Sequence, residues 1–248
     1  MELTNAQLQT IAAEGTTFLL GDAGTGKTTA LQHRLRALLE AGEPAYTIMV
    51  LVAEPTHRGR FTEVLQGANI DAYGDLKVNN YLGLAREFVE LFWPLVARTA
   101  GFSRAYQPPT WLTYDLAQLL MWEVITPMLE EGHFADLRLR PQQIVSQLLD
   151  NLNRSALNGH TITEGIQRQI ASWGGDLEHI KHLRDAERAA NQFRQICHTN
   201  NLLDMSLVVE VFNRHVVKHP EFSRYFTERF RHLLVDNLEE QTAAGQNF

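Results

Sequence analysis

The order of apolar and polar residues along this chain predicts strands near both ends and helices between them. Residues 47–52 form an almost continuous apolar, β-branched run, which is typical of a strand buried on both faces of a parallel sheet. Shorter apolar runs at residues 16–20 and 232–235 predict two similar strands, and residues 76–78 predict another short one. Residues 28–39 carry leucines at helical spacing and predict a helix after the first strand.

The middle of the chain follows a helical pattern instead. From about residue 92 to residue 201 no strand stands out. Helices are predicted over residues 112–129, 141–152, 162–173 and 177–199. An earlier helix that begins at Tyr81 is expected to stop before Pro94, because proline disfavours helical geometry in the residue before it.

The helix at residues 112–129 is expected to face the core with its apolar side, which consists of Leu116, Leu119, Leu120 and Trp122. Aromatic residues in this part of the chain could offer stacking faces to nucleic-acid bases. Their helical spacing favours core positions instead, and the residues concerned are Trp111, Tyr114 and Trp122.

Strands alternate with helices on either side of the helical stretch. The pattern therefore predicts an α/β fold in which a parallel sheet is interrupted by an inserted α-helical subdomain. The sheet domain is expected to comprise residues 1–91 and 202–248, and the insertion residues 92–201.

Composition narrows the classes of protein that fit. The chain has 248 residues and a net charge of −7, so any contact with DNA must use a local groove rather than a global basic field. Cys197 is the single cysteine, which excludes a disulfide framework or a cysteine zinc cluster and favours a reducing, cytoplasmic compartment. No apolar run is long enough for a membrane span, so no membrane partner is expected.

Residues 21–28 match the pattern G-x-x-x-x-G-K-[ST]. This pattern is typical of the P-loop, which binds nucleotide phosphates between a strand and a helix. Backbone N–H groups of such a loop point at the anion, and its glycines allow a close approach. Lys27 is expected to reach the β- and γ-phosphates, and the Thr28 hydroxyl to hold Mg²⁺. The residues expected to bind the nucleotide here are Gly21, Ala23, Gly24, Thr25, Gly26, Lys27, Thr28 and Thr29.

A second element of a phosphate site comes near the other end of the chain. The apolar run at residues 232–235 ends at Asp236, and in P-loop NTPases an acid at the end of a buried strand holds Mg²⁺. We therefore expect Thr28 and Asp236 to form the magnesium site, with ATP and Mg²⁺ as the cofactors. The long separation of the two residues in sequence supports a large insertion.

Three segments in this order resemble the UvrD/Rep-like family of superfamily 1 DNA helicases. They are residues 3–7, which read Leu-Thr-Asn-Ala-Gln, the P-loop, and residues 203–207, which read Leu-Asp-Met-Ser-Leu. The family begins with Leu-Asn-x-x-Gln, whose glutamine contacts adenine, so the resemblance implies that role for Gln7. It also implies a RecA-like P-loop NTPase fold for the sheet domain.

The chain departs from the family at several positions. The family's acidic motif Val-Asp-Glu-Phe-Gln-Asp reads Val-Asp-Asn-Leu-Glu-Glu here, so Asn237 replaces the glutamate that activates the attacking water. Asparagine can orient a water molecule but cannot take its proton, and Glu239 is the candidate substitute base. The family's DNA-gripping segment Thr-Phe-x-x-x-Ala-Ala is replaced at residues 52–58, and its Thr-Phe-His-Ser segment at residues 79–82.

The resemblance implies the N-terminal ATP-binding part of an ATP-dependent DNA helicase, which couples ATP hydrolysis to movement on single-stranded DNA. Family members continue well past the position of Phe248 with a second RecA-like domain, whose arginines close on the γ-phosphate. We therefore expect the isolated chain to hydrolyse ATP very slowly. The expected partners are single-stranded or partly duplex DNA, the second RecA-like domain and the subunits of a helicase–nuclease complex.

Two other functions fit the same residues. The first is a catalytically weakened, nucleotide-binding structural subunit of a helicase–nuclease complex, which would account for Asn237 in place of the family's glutamate. The P-loop alone also fits an unrelated P-loop NTPase, such as a small-molecule kinase or a signalling ATPase.

Overall fold

A computed structural model describes residues 3–67 and 74–248 of the chain. The strands are β1 (Ile48–Leu51), β2 (Lys77–Asn79), β3 (Thr110–Trp111), β4 (Leu202–Leu203) and β5 (His232–Val235). The α-helices are α1 (Asn5–Ala12), α2 (Lys27–Glu40), α3 (Arg58–Gly67), α4 (Tyr81–Val96), α5 (Tyr114–Glu130), α6 (Pro141–Leu157), α7 (Ile162–Ser172), α8 (Leu177–Asn200), α9 (Met205–Val211), α10 (Pro220–Arg229) and α11 (Ala243–Gln246). The chain is thus a mostly helical α/β protein with a small parallel sheet.

The main sheet has the strand order β2-β1-β5, and both pairings are parallel. In the register of β1 with β5, Leu51 lies opposite Val235, so both strands end at the same sheet edge. Every residue of β1 is buried. The predicted strands at residues 47–52, 76–78 and 232–235 are therefore confirmed.

The prediction of a buried strand at residues 16–20 is wrong. This segment contains no regular secondary structure, and the side chains of Phe18 and Leu20 are 70% and 89% exposed. A strand requires a hydrogen-bonded neighbour, and within the described residues β5 pairs with β1 alone. The apolar composition of a short run does not specify such a neighbour.

The chain divides into two compact units. The first comprises Met1–Leu84 and Pro220–Gln241, and the second comprises Ala85–His219 and Thr242–Phe248. The sequence-based division differs from this at three places, because residues 85–91, 202–219 and 242–248, predicted to belong to the sheet domain, cluster with the second unit. In neither unit is a described helix both long enough and apolar enough to cross a membrane.

The core of the first unit lies between the sheet and the helices that follow its strands. Leu35 of α2 and Phe61 of α3 are completely buried there, in contact with a cluster that includes Ile48 and Val50 of β1. This packing fixes α2 and α3 on the sheet and so positions the residues that follow β1 and β5.

Helix α5 of the second unit buries a different face from the predicted one. Its buried residues are Ala117, Met121, Val124, Ile125 and Met128. The predicted core residues Leu116, Leu119 and Trp122 are exposed, as is Tyr114. Because α5 is apolar on most of its circumference, the spacing of apolar residues does not identify the side that packs.

Helix α4 continues past Pro94 to Val96, so the predicted stop before this proline is also wrong. Pro94 removes one helical N–H, the donor to the carbonyl of Glu90, and this loss falls in the last turn of α4. The sequence pattern also missed β3 and β4, which pair in parallel with Thr110 opposite Leu202. Two-residue strands are too short to show a period.

A buried charged cluster in the second unit joins α8 to the start of α9. The Arg194 guanidinium donates to Asp204 Oδ1 at 2.6 Å and to Ser206 Oγ at 2.7 Å. Asp204 is also the N-cap of α9, because its Oδ1 accepts the N–H of Leu207 at 3.1 Å. The charges are buried but satisfied, so the cluster fixes the α8–α9 junction.

Cys197 lies beside this cluster and is fully buried. Burial, together with the negative charge of Asp204 and against the opposing charge of Arg194, raises the pKa of its thiol to about 12. We expect Cys197 to resist alkylation by iodoacetamide at pH 8 in the folded chain, because the thiolate is the reactive form. Mass spectrometry of the labelled chain, native and in denaturant, measures this difference; rapid labelling of the native chain would contradict the burial.

The same thiol makes stability depend on pH. The unfolded chain releases the thiol proton near pH 9 and the folded chain only near pH 12. The contribution of Cys197 is therefore fully present below pH 9 and is lost as the pH rises from 9 toward 12. A Cys197→Ser variant should show a smaller loss of stability over this range in denaturant titrations.

Candidate functional site

The P-loop leads directly into the N-terminus of α2. Gly26 is the N-cap and has φ 83°, a left-handed geometry that glycine adopts without strain. A Cβ at this position would also lie 2.6 Å from Nε2 of Gln7. Gly26 has no side chain with which to cap α2, so the N–H groups of the first helical turn, including those of Thr28 and Thr29, are available to an anion.

Lys27 is the first residue of α2, and its side chain folds back over the loop. Its Nζ donates to the carbonyl oxygens of Gly21 at 2.6 Å and Asp22 at 3.2 Å. It also forms an ion pair with Glu239, at 3.2 Å from Oε1. These are contacts to loop carbonyls and one exposed carboxylate, which a phosphate group can replace with stronger charge-assisted bonds.

Thr28 and Asp236 are brought together as the sequence predicts. The Thr28 hydroxyl contacts Asp236 Oδ1 at 2.9 Å and Oδ2 at 3.1 Å. Asp236 is buried at the end of β5, and desolvation raises the pKa of its carboxyl, against the opposing effects of Thr28, His57 and Arg60. A buried carboxylate that accepts from this hydroxyl is stabilised by a nearby cation.

Mg²⁺ fits this pair of oxygen donors. The ion is commonly bound through one or two protein oxygens, with water and substrate phosphates as its other ligands. Among the described residues no group of three or more His, Cys, Asp or Glu side chains could hold a metal ion. Thr28 Oγ and Asp236 would thus supply the protein ligands, with the hydroxyl proton directed at the carboxylate.

Gln7 contacts the P-loop itself. Its Nε2 donates to the carbonyl oxygens of Thr25 at 3.2 Å and Gly26 at 3.3 Å, while its Oε1 accepts the N–H of Thr4 at 2.8 Å. The side chain is 5% exposed. The geometry therefore gives Gln7 a role in holding the P-loop backbone, and contact with adenine stays a prediction.

The rest of the predicted loop residues shape its turn. Thr25 donates its hydroxyl to the carbonyl of Asp22 at 2.8 Å, and Gly24 is left-handed with φ 78°. Ala23 lies in the same turn. Thus the structure places the sequence-predicted binding residues 21–29 in one loop and one helical turn.

Asn237 follows Asp236 in a left-handed conformation, with φ 49° and ψ 58°. Asparagine adopts this geometry more readily than other residues with a side chain. Its Nδ2 donates to Glu240 Oε2 at 2.9 Å, so both side chains are held within the short turn. The predicted water-positioning role of Asn237 would require its amide to leave this contact.

Glu239, the candidate substitute base, is exposed and paired with Lys27. A backbone hydrogen bond and then Lys27 hold the pKa of its carboxyl below the usual range. A general base works best when its pKa is near the operating pH, so this environment makes Glu239 a weaker proton acceptor.

Two residues beside the site had no predicted role. The carbonyl oxygen of Arg60 accepts a hydrogen bond from Gln32 Nε2 of α2 at 2.7 Å. Nδ1 of His57 is buried and has no hydrogen-bond partner in the part of the chain that the structure describes. Both residues come after the end of β1 in the chain, and β1 ends at the same edge of the sheet as β5, which Asp236 follows directly. In the sequence, the only signal was that the segment after this strand departs from the helicase pattern.

Comparison with protein-family models gives no match for this chain, and comparison with curated proteins gives none either. The resemblance to UvrD/Rep-like helicases therefore remains a prediction from the quoted motifs.

Proposed function

We propose that this chain binds ATP with Mg²⁺ and forms the ATP-binding part of an ATP-dependent DNA helicase with a RecA-like sheet domain. The hydrogen bond between Thr28 and Asp236 carries the proposal. It joins the end of the P-loop to the end of β5, two elements that are far apart in sequence and meet in P-loop NTPases at the magnesium ion.

The chemistry of the site follows from its charges. The triphosphate would lie against the free N–H groups at the start of α2, with Lys27 exchanging Glu239 and the loop carbonyls for phosphate oxygens. The Mg²⁺ ion neutralises phosphate charge when it is bound. Thr28 and Asp236 would hold the magnesium ion in a fixed position relative to the P-loop, and Gln7 keeps the backbone of the P-loop in place.

The helicase assignment rests on the order of the resembling segments. In the complete protein a second RecA-like domain would supply arginines to the γ-phosphate, and closure of the two domains would move single-stranded or partly duplex DNA. The protein would act in the cytoplasm, alone or with subunits of a helicase–nuclease complex.

A second function is favoured by the turn after Asp236. Asn237 cannot accept a proton, and the pKa of the Glu239 carboxyl is lowered. Both observations fit a structural subunit that binds ATP and hydrolyses it slowly, in a helicase–nuclease complex. An unrelated P-loop NTPase is the third function that the site allows.

ATP turnover of the complete natural protein, with and without single-stranded DNA, tests the helicase proposal. We expect a DNA-stimulated rate if the protein is a motor. ATP binding without turnover would contradict the motor and support the structural subunit. Failure to bind ATP would contradict both.

The Asn237→Glu variant then tests the missing base. A rise in turnover of a hundredfold or more is expected if the absent carboxylate limits hydrolysis. Glutamate is strained at φ 49°, so Asn237→Gly is the matched control, since it accepts this backbone geometry without adding a carboxylate. If ATP turnover changes equally in both variants, the effect comes from the conformation of the turn and not from the added carboxylate.

A further inference from the structure

One face of the P-loop helix α2 contacts both the end of β5 and the first turn of α3. Thr28 lies on this face and reaches Asp236 after β5. Gln32 lies one helical turn later on the same face and reaches the backbone of Arg60, after β1. The two contacts place the backbone of Arg60 within one helical turn of α2 from Thr28, on the side of α2 that faces Asp236.

The Arg60 side chain is exposed, and it forms no ion pair with any residue that the structure describes. Its positive charge nevertheless acts on the Asp236 carboxyl, where it opposes the desolvation that raises the pKa of this group. The neighbouring arginine differs: Arg58 is bound to the side chain of Asn79 at the end of β2. Of these two arginines, Arg60 thus has the charge that is left for a ligand.

His57 adds an imidazole ring at the same place. It ends a short 3-10 turn between β1 and α3, and its buried Nδ1 has no hydrogen-bond partner among the described residues. Like Arg60, it acts electrostatically on Asp236. A buried ring nitrogen without a partner is costly unless a ligand or water satisfies it.

We propose that Arg60, supported by His57, binds the γ-phosphate of ATP held in the P-loop and so makes the site prefer ATP to ADP. This inference rests on the proposed function. It assigns to the chain an arginine in cis, a device that other P-loop NTPases use to stabilise charge on the γ-phosphate. The site then senses the γ-phosphate within this one unit.

Binding of MgATP and MgADP to the chain, measured by isothermal titration calorimetry, tests the proposal in wild type and Arg60→Gln. Arg60→Gln should weaken MgATP by roughly ten- to a hundredfold, the worth of a charge-assisted hydrogen bond, and leave MgADP within about twofold. Arg60→Lys should recover part of the loss, because it keeps the charge but not the forked donors.

Arg36→Gln is the matched control. Arg36 is also exposed, and it pairs with Glu40 in α2, roughly 13 Å along the helix from Lys27. It should change the affinity for neither nucleotide. Retained ADP binding by Arg60→Gln shows that the variant has folded.

The outcomes separate this inference from the function on which it rests. If wild type binds neither nucleotide, the proposed function fails. If wild type binds ATP through Lys27 but Arg60→Gln leaves the ATP/ADP ratio unchanged, only the role of Arg60 is overturned. Equal weakening of ATP and ADP would also overturn it, since Arg60 would then act on all phosphates or on the fold.

Discussion

Lys27→Ala should weaken ATP binding by at least a hundredfold while leaving the thermal unfolding of the chain nearly unchanged. In the structure Lys27 holds two loop carbonyls and the exposed Glu239, contacts that contribute little to stability. When a triphosphate is bound, the same ammonium group would replace these contacts with charge-assisted bonds to phosphate oxygens. Calorimetric titration with MgATP and a thermal melt of each variant measure the two effects.

Lys181→Ala provides the control for loss of one lysine. Lys181 is 56% exposed and lies 3.6 Å from Asp136 in the second unit. Its removal should change neither ATP affinity nor stability appreciably. Unchanged ATP affinity in Lys27→Ala would remove the P-loop assignment, and with it the proposed function.

The second large effect is expected from Asp204→Ala, which should destabilise the chain by about 3–5 kcal/mol. The substitution leaves the Arg194 guanidinium buried without its closest carboxylate and removes the N-cap of α9. The side chains of Arg194 and Asp204 are only 11% and 5% exposed, so water cannot take over the lost contacts. Equilibrium unfolding in urea measures the change in the free energy of unfolding.

The chain contains a matched pair for comparison. Arg214 and Glu164 are also 2.6 Å apart, but their side chains are 36% and 46% exposed. We expect Arg214→Ala to cost about 1 kcal/mol or less. If both variants lose the same stability, burial is not what makes the Arg194 cluster important.

The sequence predicted those parts of the fold that local chemistry determines. The P-loop requires glycines, Lys27 and Thr28 in one short segment, and a continuous apolar run identifies β1. The approach of Thr28 to Asp236 could also be predicted, because a P-loop implies an acidic partner at the end of a buried strand.

The remaining features depend on partners that are distant in sequence. Residues 16–20 resemble a strand in composition, but pairing decides whether a strand forms. Helix α5 has apolar residues on several sides, so the packing of its neighbours selects the buried one. Arg60 is an ordinary surface arginine in the sequence, and only the contact with Gln32 shows that it lies beside the P-loop helix.

Residues 203–207, the segment that resembles a helicase motif, contain one feature that the sequence predicts and one that it does not. Its aspartate, Asp204, is recognisable in the sequence. The ion pair of Asp204 with Arg194 is not recognisable in the sequence, because Arg194 belongs to the preceding helix. Ser206, which also accepts from Arg194, stands where the family has a second acid. Here the serine hydroxyl accepts from the guanidinium and donates to Asp204, so the substitution remains compatible with a closed network.

The unpaired side of β5 has a consequence for the behaviour of the chain in concentrated solution. Within the described residues one edge of this strand has no strand partner, and Phe18 and Leu20 of the same unit are exposed. Free strand edges with apolar surroundings promote association between copies. Self-association of the chain should therefore begin at the free edge of β5. A peptide that paired with this edge as an additional strand would reduce the association.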